Sequence, residues 1–121
     1  MAAAGNYVAQ LFLARDLAHR AHLGTSSYAQ HVALNEFYLG IVDHADAFAE
    51  AYQGQYNELL DIPLLDSEYE GEIADVLEQV MAWIEDNREQ ICPRELSSLH
   101  NLIDAAVELF QRTLYKLRFL N

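Results

Sequence analysis

Two histidines and two carboxylates on the first two predicted helices are of the types that hold a metal ion. His19 and His31 are twelve residues apart, and Asp46 and Glu50 follow His31 at plus fifteen and plus nineteen. Neutral imidazoles suit iron, zinc and similar divalent ions, and carboxylates offset the charge of the cation. Asp46 and Glu50 are also at i and i+4, so on a helix both acids point the same way, one turn apart. On a buried face such a pair repels and needs a cation or a cationic side chain beside it. Arg15, Lys116 and Arg118 are the side chains that would otherwise satisfy it at the rim of a bundle. His22 lies one turn beyond His19 and can replace it. Asn35 is a further polar residue on the same helix as His31. His100 and Asp104 form another i,i+4 pair, read either as additional ligands or as a hydrogen bond that fixes an imidazole.

These residues need helices to position them, and the pattern predicts four: about 6–23, 27–52, 67–90 and 94–120. Gly24-Thr-Ser-Ser ends the first and supplies an N-cap for the second. Gly54 stops the second, and the stretch from about 55 to 66, with Pro63, reads as a connection. Ser67 and Glu70 have the spacing of a capping box for the third helix, whose apolar stripe is Ile73, Leu77, Val80 and Ile84. Pro93 separates it from the fourth, where Leu96, Leu99, Ile103, Phe110, Leu114 and Leu117 recur at helical spacing. The expectation is a single domain over 1–121, all-α, folded as an antiparallel four-helix bundle. With the first turn centred near Thr25, His19 and His31 fall at the same level of a helical hairpin.

The second helix is too apolar for one bundle core. At about 100° per residue, Leu34, Phe37, Ile41, Ala45, Phe48 and Tyr52 fill one sector, and Tyr28, Val32, Leu39, Val42 and Ala49 the next. The surplus predicts a homo-oligomer, at least a dimer, that buries Leu34, Phe37, Ile41 and Phe48 between two copies of this helix. Length makes the same demand. His31 and Asp46 are about 22 Å apart along a helix at about 1.5 Å per residue, so they cannot share an ion within one chain. Two copies packed antiparallel about a two-fold axis near Leu39 or Gly40 would bring His31 of one to Asp46 and Glu50 of the other.

The set His19, His31, Asp46 and Glu50 resembles the ferroxidase ligands of the Dps-like mini-ferritins. Ala45-Asp46-Ala-Phe-Ala49-Glu50 looks like the Ala-Asp-x-x-Ala-Glu segment of that family. The resemblance covers about residues 17 to 52. It implies a ferritin-like fold, an intersubunit site and oxidation of Fe(II), with zinc or another divalent cation as the alternative ion. Arg20-Ala21 stands where the family has Trp-Asn, and no Lys-rich tail is present. The whole chain is also similar to a family of small tailed-phage proteins, through segments such as Ser27-Tyr-Ala-Gln-His31, Asn101-Leu-Ile-Asp104 and Thr113-Leu-Tyr-Lys-Leu117. That resemblance implies a ferritin-like helical fold and a phage or environmental source, with no known activity; a non-catalytic accessory or structural phage protein is the alternative reading of the chain. Glu72-x-x-Asp75, with Glu50, resembles the magnesium-binding helices of MazG-like nucleotide pyrophosphohydrolases; the plainer reading of Glu72 and Asp75 is a solvated acid face.

Composition excludes several other classes. The chain has 121 residues, with 19 acids against 7 Lys and Arg and a formal charge of −12. That opposes a surface that neutralises nucleic-acid phosphates or docks on anionic lipid. No run is long and apolar enough to span a membrane. The single cysteine, Cys92, cannot form an internal disulfide, which fits a reducing cytoplasm. It has no motif around it that would make a catalytic thiol. No phosphate loop or nucleophile elbow occurs.

Overall fold

The structure, a computed structural model, describes residues 2–120, and among these there are five helices and no strand. α1 spans Ala2–Gly24, α2 Tyr28–Tyr56, α3 Ile73–Asp86, α4 Arg88–Ile91 and α5 Ser97–Phe119. The helix boundaries differ from the pattern in ways that local chemistry explains. α2 runs through Gly54 and stops at Asn57, which adopts the left-handed conformation (φ 52°) and returns its N–H to the Gln53 carbonyl. Asparagine tolerates that conformation and so can end a helix as glycine does. The Ser67–Glu70 capping box is not formed. Helix begins only at Ile73, after Gly71 turns the chain with φ 107°, a value that glycine alone takes without strain. The expected third helix is then interrupted at Asn87, whose side-chain Nδ2 donates to the Trp83 carbonyl at 2.8 Å, and resumes as the one turn of α4. α5 starts at Ser97 rather than Arg94.

Side-chain contacts set the helix directions. Tyr7 packs edge-on against Phe48 with ring centroids 4.8 Å apart, while His22 meets His31 at the other end, so α1 and α2 are antiparallel. Phe37 meets Phe110, and Glu36 pairs with Lys116 at 2.6 Å, so α5 is antiparallel to α2. Arg118 pairs with Glu78 at 2.8 Å near the start of α3, and Arg88 reaches back to His100, so α3 is antiparallel to α5. With α1 drawn up, α2 runs down, α3 down and α5 up. Two consecutive long helices that run the same way need a connection as long as the helices. Residues 57–72 provide it. At about 3.3 Å per residue these sixteen residues reach about 50 Å, and a 23-residue helix such as α1 is about 35 Å long.

This crossover strap lies on α1 rather than looping into solvent. The Asp61 carbonyl oxygen occupies the space a Cβ at Gly5 would take. Further along, the Tyr69 hydroxyl donates to Gln10 Oε1 at 2.6 Å. The Gln53 side chain accepts from Leu60 N at 3.0 Å where the strap leaves α2. Leu60, Ile62 and Tyr69 pack on the core from the strap.

The core corrects the predicted interface. Leu34, Phe37, Ile41 and Phe48 are fully buried within a single chain, against α1 and α5. They face the inside because their sector of α2 points between those two helices. The apolar surplus of α2 is real, but Tyr28 (81% exposed), Leu39 (59%) and Val32 (37%) carry it.

Among the described residues, the Tyr7 hydroxyl is the one fully buried side-chain polar atom without a hydrogen-bond partner. Burial holds it protonated far above the usual tyrosine range, with the Arg88 guanidinium pulling weakly the other way. An unpaired buried hydroxyl opposes folding. Tyr7→Phe is therefore expected to keep or raise stability, by up to about 1 kcal/mol, in urea unfolding at neutral pH. Above about pH 10 an unfolded tyrosine releases a proton that folded Tyr7 retains. The wild type should therefore lose stability as the pH climbs past that value, and the variant should lose less of it.

Candidate functional site

The α1–α2 turn is three residues long, and its polar side chains fix it. Ser27 Oγ accepts from Gln30 N at 3.2 Å as the N-cap of α2, and Thr25 Oγ1 accepts from Ser27 N at 3.1 Å. This geometry centres the hairpin between residues 26 and 27, beyond the expected Thr25. The histidine opposite His31 is consequently His22, one turn on from His19.

His22 and His31 make a reciprocal clasp. His22 Nδ1–H donates to the His31 carbonyl at 2.6 Å, and His31 Nδ1–H donates to the His22 carbonyl at 2.8 Å. The two rings stack with centroids 3.7 Å apart and planes 18° from parallel. A carbonyl only accepts, so each Nδ1 carries a proton, and in the neutral ring Nε2 keeps its lone pair. Metal-bound histidines use this same arrangement, the second nitrogen anchored on a carbonyl. The stack prevents the two from sharing one ion. Each lone pair lies in its ring plane, the planes are nearly parallel, and an ion about 2.0–2.1 Å from both nitrogens would sit well outside either plane. His22 is buried, and His31 is half-buried at the edge of the outer face of α2. His19 stacks on Tyr38, centroids 4.1 Å apart.

Asp46 and Glu50 are exposed in the single chain. Among the described residues neither makes an ion pair. Lys116 goes to Glu36, and Arg118 to Glu78 and Asp75. Water screens the repulsion between exposed acids one turn apart to a few tenths of a kcal/mol, so the pair requires no cation for the fold. Asn35 is half-buried on the same outer side of α2.

His100 belongs to a different construction. Its Nε2–H donates to the Cys92 and Pro93 carbonyls at 3.0 and 3.1 Å, and its Nδ1 accepts from Arg88 Nε at 3.2 Å. Both ring nitrogens are engaged, so neither is open to a metal. Arg88, itself buried, also donates to the His100 carbonyl, to Asp104 and to Glu85. The guanidinium thus bolts the α3–α4 break to α5, and His100 and Asp104 are joined through it. Sequence reasoning overlooked Arg88. Its signal is its place four residues after Ile84, where it continues the buried stripe of α3. Cys92 is buried beside this network, and burial pushes its thiol up, away from the reactive thiolate. Glu72 is the exposed N-cap of α3, Asp75 pairs with Arg118, and both lie at the Gly24 end of the molecule, far from Glu50.

Among the described residues, no group of three or more His, Cys, Asp or Glu side chains in one chain is placed to hold a metal. No helix there is long and apolar enough to cross a membrane. The chain is thus an all-helical protein whose polar chemistry is shared between a histidine clasp, an arginine bolt and an acidic outer face. It belongs to the family of unknown function DUF5856, whose pattern it matches over residues 22–117. No curated protein and no solved structure matches it.

The clasp spans both helices of the hairpin, so either histidine alone should matter to stability. His22→Ala and His31→Ala are each expected to cost about 1–2 kcal/mol. A double-mutant cycle read by thermal unfolding should show strong coupling, with the double variant little worse than either single one.

Proposed function

We propose that this chain is a Dps-like metal-binding protein built as a ferritin-like antiparallel four-helix bundle. In this reading it works as at least a homodimer and takes up a divalent cation between two copies. Fe(II), with its oxidation, is what the resemblance implies. Two features support the fold assignment. The helices run up, down, down, up, and a single full-length crossover joins the second to the third, as in ferritin-like folds.

The observation that carries the function is the outer seam of α2. Tyr28, Val32, Asn35, Leu39, Asp43, Asp46 and Glu50 follow one another at spacings of three and four, and all are exposed except the half-buried Asn35. That spacing is the seam of a helix pair. It is also symmetric about Leu39. An antiparallel second copy sets Leu39 against Leu39, Val32 against Asp46 and Tyr28 against Glu50. The half of the seam with His31 holds no unpaired acid, since Glu36 beside it is paired with Lys116, so it adds no repulsion to the acidic half of the other copy. His31, its Nδ1 anchored, would present Nε2 as a neutral ligand, and Asp46 and Glu50 of the other copy would supply the charge.

The test is anaerobic Fe(II) titration followed by air, with light scattering on the same samples. The wild type should scatter as about twice 13.8 kDa or more, bind iron stoichiometrically and speed its oxidation. Asp46→Ala with Glu50→Ala should abolish binding and keep the dimer. Leu39→Glu should give monomers that do not bind. A monomeric wild type, or iron uptake unchanged by the paired substitution, would overturn the proposal. A dimer that binds no divalent ion would make the chain a structural accessory protein instead.

A further inference from the structure

The crossover creates a second feature away from the α2 seam. Between α1, the strap and α3 lies a half-open pocket of about 590 Å³, large enough for a small molecule. Its lining is one-sided chemically. It includes Leu13, Tyr69 and Trp83 as apolar and aromatic walls, Gln10 and Gln79 as amides, and the exposed carboxylates of Asp66 and Glu68 at the strap; no Lys, Arg or His contributes. The walls are held in place. Tyr69 is tied to Gln10 through its hydroxyl. Gln79 Nε2 donates to the Glu70 and Asp75 carbonyls, both at 3.2 Å, which leaves Oε1 as an acceptor.

We infer that this pocket binds a small organic cation, a guanidinium or ammonium group on an apolar stem. Indole and phenol faces attract cations, most strongly where water is partly excluded. The two carboxylates and the Gln79 oxygen accept the N–H groups, and a carboxylate–guanidinium pair can be bidentate. Leu13 and the ring faces cover the stem. The same carboxylates repel phosphates and carboxylic acids, so anionic ligands are turned away.

The experiment uses agmatine, which carries both groups on a four-carbon stem, with butylurea as a neutral comparison. Trp83 is the only tryptophan, so its emission reports the pocket directly, and calorimetry gives an independent measure. Agmatine should change the Trp83 emission saturably and release heat, and butylurea should do neither. Asp66→Asn with Glu68→Gln should weaken agmatine binding about tenfold; both residues are exposed, so circular dichroism should be unchanged. Glu95→Gln with Glu108→Gln removes the same charge elsewhere and should have no effect. The inference is overturned if agmatine gives no saturable signal up to millimolar concentration. It is overturned equally if butylurea binds as well, or if both charge-removing pairs weaken binding alike. Tighter binding of an arginine tripeptide amide than of agmatine would overturn the assignment to a free small molecule.

Discussion

The chain between α2 and α3 has to travel the whole length of the helices, and most of the architecture follows from that constraint. A short turn after α2 would have sent α3 back up, and a different pair of faces would have met in the core. A strap sixteen residues long lets α3 run parallel to α2 and places it against α5 and α1. Ordering a strap of that length costs conformational entropy, and the contacts it makes along α1 and the core offset that cost. Gly5 is the concession α1 makes to it. A side chain there would collide with the Asp61 carbonyl, so the helix carries a residue of poor helix propensity at a buried position.

The second constraint is register, which the three-residue turn and the histidine clasp fix together. A slip of three residues, most of a helical turn, would exchange His22 for His19 opposite His31. The reciprocal bonds to main-chain carbonyls make that shift expensive, since both imidazole N–H groups and both carbonyls would lose partners. The clasp also decides which nitrogens remain available. With Nδ1 consumed on both rings, the chemistry of the pair is confined to Nε2, and the stack keeps those two atoms from meeting at one ion.

Much of this was legible in the sequence. The helices and the break at Pro93 follow from periodicity, and the surplus of apolar residues on the second helix is visible at once. Two things were not. The sequence pattern cannot say which half of a wide apolar arc faces inward, because Leu34 and Leu39 look alike until α5 is known to close over one of them. Nor does a capping-box spacing guarantee a helix start. Ser67 and Glu70 have the right types, but the strap is held further on by Tyr69 against Gln10, and the turn at Gly71 starts the helix later. The role of His100 was hidden for a related reason. Its partner, Arg88, is twelve residues away on the other side of the break at Pro93, and periodicity does not pair residues across a break.

The distribution of charge ties the fold to its outer face. Six of the seven Lys and Arg side chains already pair with nearby acids: Arg20 with Asp16, Arg88 with Glu85 and Asp104, Arg94 with Glu89, Arg112 with Glu108, Lys116 with Glu36, and Arg118 with Glu78 and Asp75. The bases are therefore committed to positions where they join helices or steady their surfaces. Asp43, Asp46 and Glu50 stand on the outer face of α2 without such a partner among the described residues. Water and mobile ions screen those acids. A net charge of −12 raises the local concentration of cations around the whole molecule, and most where acids cluster without bases. The acidic half of α2 is such a place. It shares its helix face with an exposed apolar stripe and with a histidine whose tautomer is already fixed, so the proposed partner helix and the proposed cation would use one surface through independent forces.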